Sequence, residues 1–324
     1  MSETPTALRV RAIDLFCGAG GSSWGARLAG VEIVAAFDLW PLAASVHKAN
    51  FPDAKFYPRP LEDYEPATLR KEIGKVDLIL ASPECTSHSP AKGNKNRCEK
   101  SKNTAFEVIR FAKAFQPRWL VIENVVSMKR WDRYAEFKAA LKELGYKVRE
   151  QVLNSVDFRV PQGRRRLFLL CDRKRTPEAV PKLPGRKPTA SSFVNLNGAY
   201  KWTPLQSNRR AQATLDRAER AFKVIGKLKP FLLVYYGNDG AGGWQKLNRP
   251  LRTITTLDRF AVVKPSPDGH QMRMLQVPEL KIAMGMDGMN FDYGSRRDQI
   301  KMLGNAVSPP VMRHIIKTLL FESR

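Results

Sequence analysis

Cys85, Glu123, Arg164 and Arg166 supply, in chain order, a thiol, a carboxyl and two guanidinium groups. A thiolate can add to a ring carbon, a nearby carboxyl can protonate or hydrogen-bond the ring, and guanidinium groups can hold a base edge or a phosphate. Ahead of them runs Asp14-Leu15-Phe16-Cys17-Gly18-Ala19-Gly20-Gly21. Glycines in such a turn let the backbone approach a nucleotide-like cofactor closely, with a helix N-terminus facing it. Taken together, the set points to covalent chemistry on a nucleobase.

The immediate surroundings sharpen each candidate. Cys85 follows an apolar run at 76–81 and is flanked by Glu84, Thr86, Ser87 and His88, neighbours that no core would welcome. The polar loop expected over 82–103 carries five basic residues and one acid between Lys92 and Lys102, and positive charge favours the thiolate. Glu123 ends the apolar run 119–122, where an acid could be a helix cap or a protonatable partner for the thiol. Arg164 and Arg166 alternate ahead of the apolar run 167–170, so they can share one face while Arg165 takes the other. Asp38, at the end of a second strand, stands where an acid can hold ribose hydroxyls.

These groups need a scaffold, and the first half supplies one. Strand patterns at 12–16, 32–37, 76–81 and 119–122 alternate with helical spacing at 22–28, 43–49, 104–115 and 137–144. That alternation argues for an α/β fold with a parallel sheet and crossover helices. Ligands on such sheets sit at the carboxyl ends of the strands, where the turn, Cys85 and Glu123 all fall. Prolines 177, 181, 184 and 188 mark a connector. Beyond it Ala211, Leu215, Ala218, Phe222, Ile225 and Leu228 recur at helical spacing with basic residues opposite, and 231–236 reads as a strand before a flexible 237–243 loop.

Bulk properties narrow the partner. Lys and Arg number 55 against 31 Asp and Glu, a formal net charge of +24, and ten basic residues cluster between Arg159 and Lys187. Clustering of that kind suits phosphate neutralisation along a groove. No apolar run approaches the roughly 20 residues of a membrane span. Four cysteines without a C-x-x-C pair, and four scattered histidines, argue against a structural zinc or other metal site and suit a reducing compartment. The first eleven residues hold no apolar export core, so a cytoplasmic location is expected.

The ordered motifs resemble the DNA cytosine methyltransferases that act on carbon 5. Asp14-Leu15-Phe16-x-Gly18-x-Gly20-Gly21 resembles the family's first motif, Glu123-Asn124-Val125 its ENV motif, and Gln162-x-Arg164-x-Arg166, after Val160-Pro161, its QxRxR motif. Arg249-Pro250-Leu251-Arg252-Thr253-Ile254-Thr255 resembles the stretch closing the recognition region, and Gly304-Asn305-Ala306-Val307 the last motif. One departure stands out. The family has Pro-Cys adjacent, whereas this chain reads Ser82-Pro83-Glu84-Cys85-Thr86.

The resemblance implies a Rossmann-like S-adenosylmethionine-dependent methyltransferase sheet with a second, smaller DNA-recognition domain. Residues 1–190, completed by 300–324, would form the catalytic and cofactor-binding domain, and 191–299 the recognition domain. Cys85 would be the nucleophile, Glu123 the acid near ring N3, Arg164 a holder of the base and Arg166 a support for the catalytic loop. Asp14, Phe16, Gly18, Gly20, Asp38, Leu39, Asn305 and Val307 would meet S-adenosylmethionine, with Trp40 an alternative to Leu39 against adenine. Glu84 would line the junction of cofactor and base. In the second domain Tyr235, Tyr236 and the Asn238-Asp239-Gly240 loop could reach bases. The substrate implied is a flipped-out cytosine in double-stranded DNA, approached by a monomer. A tRNA cytosine-5 methyltransferase and a catalytically silent DNA-binding homologue are the rival readings. An NAD-dependent oxidoreductase is disfavoured, because the glycine spacing fails G-x-G-x-x-G.

Overall fold

A computed structural model describes residues 10–83, 99–236 and 239–321. The larger sheet has seven strands: β1 (Arg11–Leu15), β2 (Glu32–Phe37), β3 (Lys55–Tyr57), β4 (Leu78–Ala81), β5 (Trp119–Asn124), β6 (Lys147–Asn154) and β8 (Arg165–Asp172), β7 being the short Gln162–Gly163. Their order is β3-β2-β1-β4-β5-β8-β6. β1 to β5 pair in parallel, and β8 runs antiparallel between β5 and β6. That reversal brings the start of β8, with Arg165 and Arg166, to the carboxyl end of β5.

The apolar runs are continuous because both faces are covered. Odd positions of β1, β4 and β8 (Ile13, Leu15, Ile79, Leu167, Leu169), with Leu120 and Ile122 of β5, share one core with Val108 and Phe111 of helix α4 (Glu99–Phe115) and Phe137 and Leu141 of helix α5 (Tyr134–Glu143). Their alternates Ala12, Leu78, Leu80, Val121, Phe168 and Leu170 pack on the other face against Ile315, Ile316 and Leu319 of helix α9 (Pro309–Phe321). Each such fully buried aliphatic contributes about 1.5–3 kcal/mol. Helix α1 (Gly21–Arg27) crosses α9 closely enough that a Cβ on Gly25 would lie 2.6 Å from the Met312 Cβ.

A second sheet, ordered β11-β10-β13-β14-β9, comprises β9 (Thr203–Pro204), β10 (Phe231–Val234), β11 (Trp244–Lys246), β13 (Phe260–Ser266) and β14 (Gly269–Met274). Ala218 and Ala221 of helix α6 (Gln212–Ile225) cover its Phe231, Leu233, Ala261 and Val263 face. The opposite face, Leu232, Val234 and Val262, joins a core shared with Ala283 of α7 (Val277–Met284), Leu303 of α8 (Arg296–Asn305) and Ala19, Ala43 and Val46 from the cofactor side. A buried bidentate pair, Arg273 to Glu279 at 2.7 Å, fastens β14 to α7, and Glu279 also accepts from Asn195 N at 2.8 Å. Between the sheets β12 (Leu251–Arg252) pairs in parallel with β7.

Several boundaries differ from the sequence reading. Helix α4 starts at Glu99, inside the expected loop, and Leu228 lies past the end of α6 with 86% exposure. β6 was hidden because its sequence, KVREQVLN, is half-buried at the sheet edge and has no apolar run. Among the described residues no helix is long and apolar enough to cross a membrane.

Candidate active site

β1 ends on the glycine turn, and the turn is held by the acid that follows β2. Phe16, Gly18 and Gly20 all take positive φ (58, 50 and 89°), and Gly20 caps α1. Gly18 N donates to Asp38 Oδ2 at 2.8 Å, and Trp40 N donates to Asp38 Oδ1 at 2.9 Å. A carboxylate at this position is an acceptor of the kind a ligand hydroxyl requires. A Cβ on Gly18 would meet nothing within 4 Å, so the turn is open above it. A Cβ on Gly21 would lie 2.2 Å from the Val307 carbonyl oxygen, which fixes the last motif against the turn. Asn305 is exposed at the end of α8. Leu39 is 56% exposed, whereas Trp40 packs into the shared core with Lys301 4.2 Å from its ring centroid. Of the two, Leu39 is the one left exposed.

Asp14 faces inward. Its Oδ2 accepts from Ser23 N at 3.1 Å and Ser23 Oγ at 2.6 Å, and Ser23 Oγ lies 3.2 Å from His47 Nε2. All three side chains are buried. Burial pushes the Asp14 carboxyl up to about 7, against the Ser23 hydrogen bonds, and pushes the His47 imidazole down to about 3. His47 also backs the turn, since a Cβ on Gly20 would come within 2.9 Å of its ring. Asp14 therefore shapes the turn from beneath. Ser23 and His47 were missed in the sequence, because neither belongs to a recognisable spacing.

At the end of β5, Glu123 is buried and Arg166 Nε lies 3.1 Å from its Oε1. Burial raises the Glu123 pKa, while Arg166 and then Arg164 pull it down. The neighbouring Asn124 donates Nδ2 to the Pro83 carbonyl at 3.2 Å, and its own Oδ1 accepts from Val125 N at 2.8 Å. The ENV segment thus tethers the chain two residues before Cys85. Cys85 and Glu84 themselves lie outside the described residues, as do His88 and Asn238.

Arg164 and Arg166 do border one small cavity, with Arg165 exposed, but they hold different things. Arg164, 2% exposed, donates Nη1 to the Ile254 carbonyl at 3.0 Å and Nη2 to those of Gly304 at 2.8 Å and Ala306 at 2.9 Å. Gln162 Oε1 accepts from Ile254 N at 3.0 Å, and Thr253 Oγ1 donates to the Gly163 carbonyl at 2.8 Å. The QxRxR, RPLRTIT and last-motif segments are thereby knotted together by one guanidinium and one amide. Arg166, not Arg164, accompanies the carboxyl.

The family described as C-5 cytosine-specific DNA methylase matches residues 10–320. The chain belongs to that family. It is 34% identical over 325 residues to the Type II methyltransferase M1.HphI of Haemophilus parahaemolyticus, covering 95% of this chain and 86% of that protein. Against M.HgiDI of Herpetosiphon aurantiacus it is 30% identical, over 92% of this chain and 90% of the relative. The match to M.DdeI of Desulfomicrobium norvegicum, at 31% identity, spans 60% of this chain and only about half, 48%, of that protein. The fold is that of methyltransferase EhMeth of Entamoeba histolytica (TM-score 0.70, 16% identity, 98% of this chain and 100% of the other). A Spodoptera frugiperda DNMT2 mutant superposes similarly (TM-score 0.68, 20% identity, 96% and 99%).

As a C-5 cytosine methylase the protein depends on S-adenosylmethionine, and the residues present fit that group. The Asp38 carboxylate, the open turn at Gly18 and exposed Leu39 offer a hydroxyl acceptor, a close backbone and an apolar contact at one edge of the sheet. Among the described residues the methylase has two cysteines, Cys17 and Cys171, both buried with thiol pKa values raised by that burial. Neither can serve as a thiolate near neutral pH. No metal-binding group of side chains occurs among the described residues.

The tyrosines and the loop expected to reach bases are engaged within the protein. Tyr236 donates its hydroxyl to the Thr253 carbonyl at 2.6 Å, and Tyr235 lies beneath Arg217, 5.2 Å from its ring centroid. Asp239 is gripped by Arg217 Nε at 3.0 Å and Arg220 Nη2 at 2.6 Å. Two cations of the α6 basic face are thus spent on the loop beside them.

Proposed function

We propose that this methylase transfers the methyl group of S-adenosylmethionine to carbon 5 of a flipped-out cytosine in duplex DNA, through a covalent adduct of Cys85. The observation that carries the reading is the buried Glu123–Arg166 pair, set beside Asn124 and its hold on Pro83, two residues before Cys85. Addition of the Cys85 thiolate to carbon 6 turns the ring into an enamine able to attack a methyl group at carbon 5. Glu123, readier than an ordinary carboxyl to hold a proton, donates toward ring N3 and disperses the charge that develops there. Arg166 orients Glu123. Loss of the carbon 5 proton then expels the thiol and restores the aromatic ring. S-adenosylmethionine supplies the activated methyl when bound, and Phe16, Gly18, Gly20, Asp38, Leu39, Asn305 and Val307 hold it, with Asp14 acting from beneath and Glu84 at the junction with the base.

Stacked duplex hides carbon 5, so the base must leave the helix. The net charge of +24 suits the phosphate partner. We assign residues 1–190 with 300–324 to catalysis and cofactor binding, and 191–299 to target recognition. Gln162 of the first part donates Nε2 to the Ala283 carbonyl of α7 at 3.0 Å. The protein is read as a monomeric cytoplasmic partner in restriction–modification, in line with the Type II names of its relatives.

Transfer of tritiated methyl groups to plasmid DNA and to bulk tRNA tests the substrate. Label in DNA cytosine alone is expected. Label in tRNA alone would overturn the reading.

A further inference from the structure

The second sheet carries a basin of about 390 Å³ whose wall includes Trp244, Gln245, Lys246, Arg249 and Arg252. Three of these are cations, and among the described residues no carboxylate lines it. The basin is built, not left over between loops. Buried Gln245 donates Nε2 to the Pro250 carbonyl at 2.8 Å and accepts from Arg252 N at 3.2 Å, so the 246–250 turn is folded around its side chain. Arg252 Nη2 donates to the carbonyls of Ala241 and Trp244, both at 3.2 Å, and holds the facing lip. The same lip is braced from behind by Arg217 and Arg220 through Asp239.

Two features point to an occupant. Lys246 and Arg249 are exposed and have no ion pair among the described residues. Trp244 is half-buried: it packs on the α6-side core and also lines the basin beside those charges. Free cations next to an aromatic face fit a phosphate joined to a planar base. The basin also has a direct line to the chemistry. Arg252 pairs with Gly163 and Leu251 with Gln162, immediately ahead of the Arg164 knot and the Arg166–Glu123 pair.

We propose that this basin holds one nucleotide of the substrate strand flanking the target cytosine, its phosphate on Lys246 and Arg249 and its base against Trp244. The proposal rests on the nucleic-acid reading above and adds the place where the strand is registered. Occupation pins β12, and β12 is paired with β7, the two residues immediately ahead of Arg164 and the Arg166–Glu123 pair. Recognition is thereby registered against Glu123 through backbone hydrogen bonds, without a contact between the flanking nucleotide and the reacting base.

The test uses the full-length protein and a fluorescein-labelled duplex bearing the site mapped from methylated plasmid DNA. Wild type is compared with Trp244→Ala, Trp244→Phe, Arg249→Ala and the remote surface control Lys71→Ala. Trp244→Ala is expected to raise Kd about tenfold, the order seen when a stacked base loses its aromatic partner, with Phe restoring most of it. Arg249→Ala should lower the slope of log K against log salt by about one, the signature of one lost phosphate contact. Both should raise KM for DNA by more than they lower kcat, with cofactor Kd and Tm held as the check on folding. Basin variants that match Lys71→Ala in Kd and salt slope, beside a wild type that methylates DNA, would overturn the basin alone. A wild type that neither binds nor methylates the duplex would overturn both readings.

Discussion

Arg166 Nε and Glu123 Oε1 stand 3.1 Å apart across neighbouring antiparallel strands. The relationship follows from register. Glu123 lies opposite Phe168, so Arg166, two residues earlier on the same face, is its diagonal neighbour. Burial raises the pKa of the carboxyl, and the guanidinium restrains that shift.

Glu123→Gln should lower methyl transfer by about 100-fold or more, the usual scale for loss of a positioned acid, while cofactor Kd stays within twofold. Arg166→Ala should also move the alkaline limb of the kcat/KM profile to higher pH, because it removes the larger of the two charges that lower the Glu123 pKa. A limb that stays in place or moves down would mean that Glu123 is not the group being read.

Arg164 is expected to matter through the fold. Arg164→Met leaves the carbonyls of Ile254, Gly304 and Ala306 without this donor. At about 1–3 kcal/mol for each buried group left unpaired, the denaturation midpoint should fall by an amount equivalent to at least ~3 kcal/mol. Arg164→Lys, able to satisfy fewer carbonyls, should fall between. A methionine variant of unchanged stability would remove the knot from the account.

Gly21→Ala should weaken cofactor binding at least about tenfold, since its Cβ would sit 2.2 Å from the Val307 oxygen and backbone must give way. Isothermal titration with S-adenosylmethionine measures it. Gly240→Ala, where no heavy atom lies within 4 Å, should leave both affinity and Tm unchanged.

Asp14 should leave a mark on stability against pH. Its folded pKa of about 7 lies above the ordinary aspartate value of 3.8. The folded state therefore binds more protons than the unfolded state between those values, so this contribution is full below about 4 and is lost as pH rises through 7. Urea midpoints of wild type and Asp14→Asn between pH 4 and 8 should converge toward the acid end, with the wild type falling more steeply toward pH 8. Parallel curves would show that the carboxyl ionises normally.

Much of this arrangement was legible because it depends on local runs. Parallel strands buried on both faces read as apolar segments, and the positions just past them carry Asp38 and Glu123. β6 was not legible, being a polar edge strand, and the β13–β14 hairpin was hidden by mixed residues such as Lys264, Pro265 and His270. The alternation of Arg164 and Arg166 gave their shared face but not their tasks. Which of them is buried depends on segments about 90 and 140 residues away, and no local pattern encodes that. The engagement of Asp239 is hidden for the same reason, its partners being Arg217 and Arg220 on a helix 19 to 22 residues earlier.

The central claim is that this chain methylates cytosine in DNA through Cys85. Nucleoside mass spectrometry of DNA from cells expressing wild type or Cys85→Ala tests it directly. The account predicts 5-methylcytosine with wild type and none with the variant. DNA that stays unmodified in both, or is methylated equally in both, would contradict it.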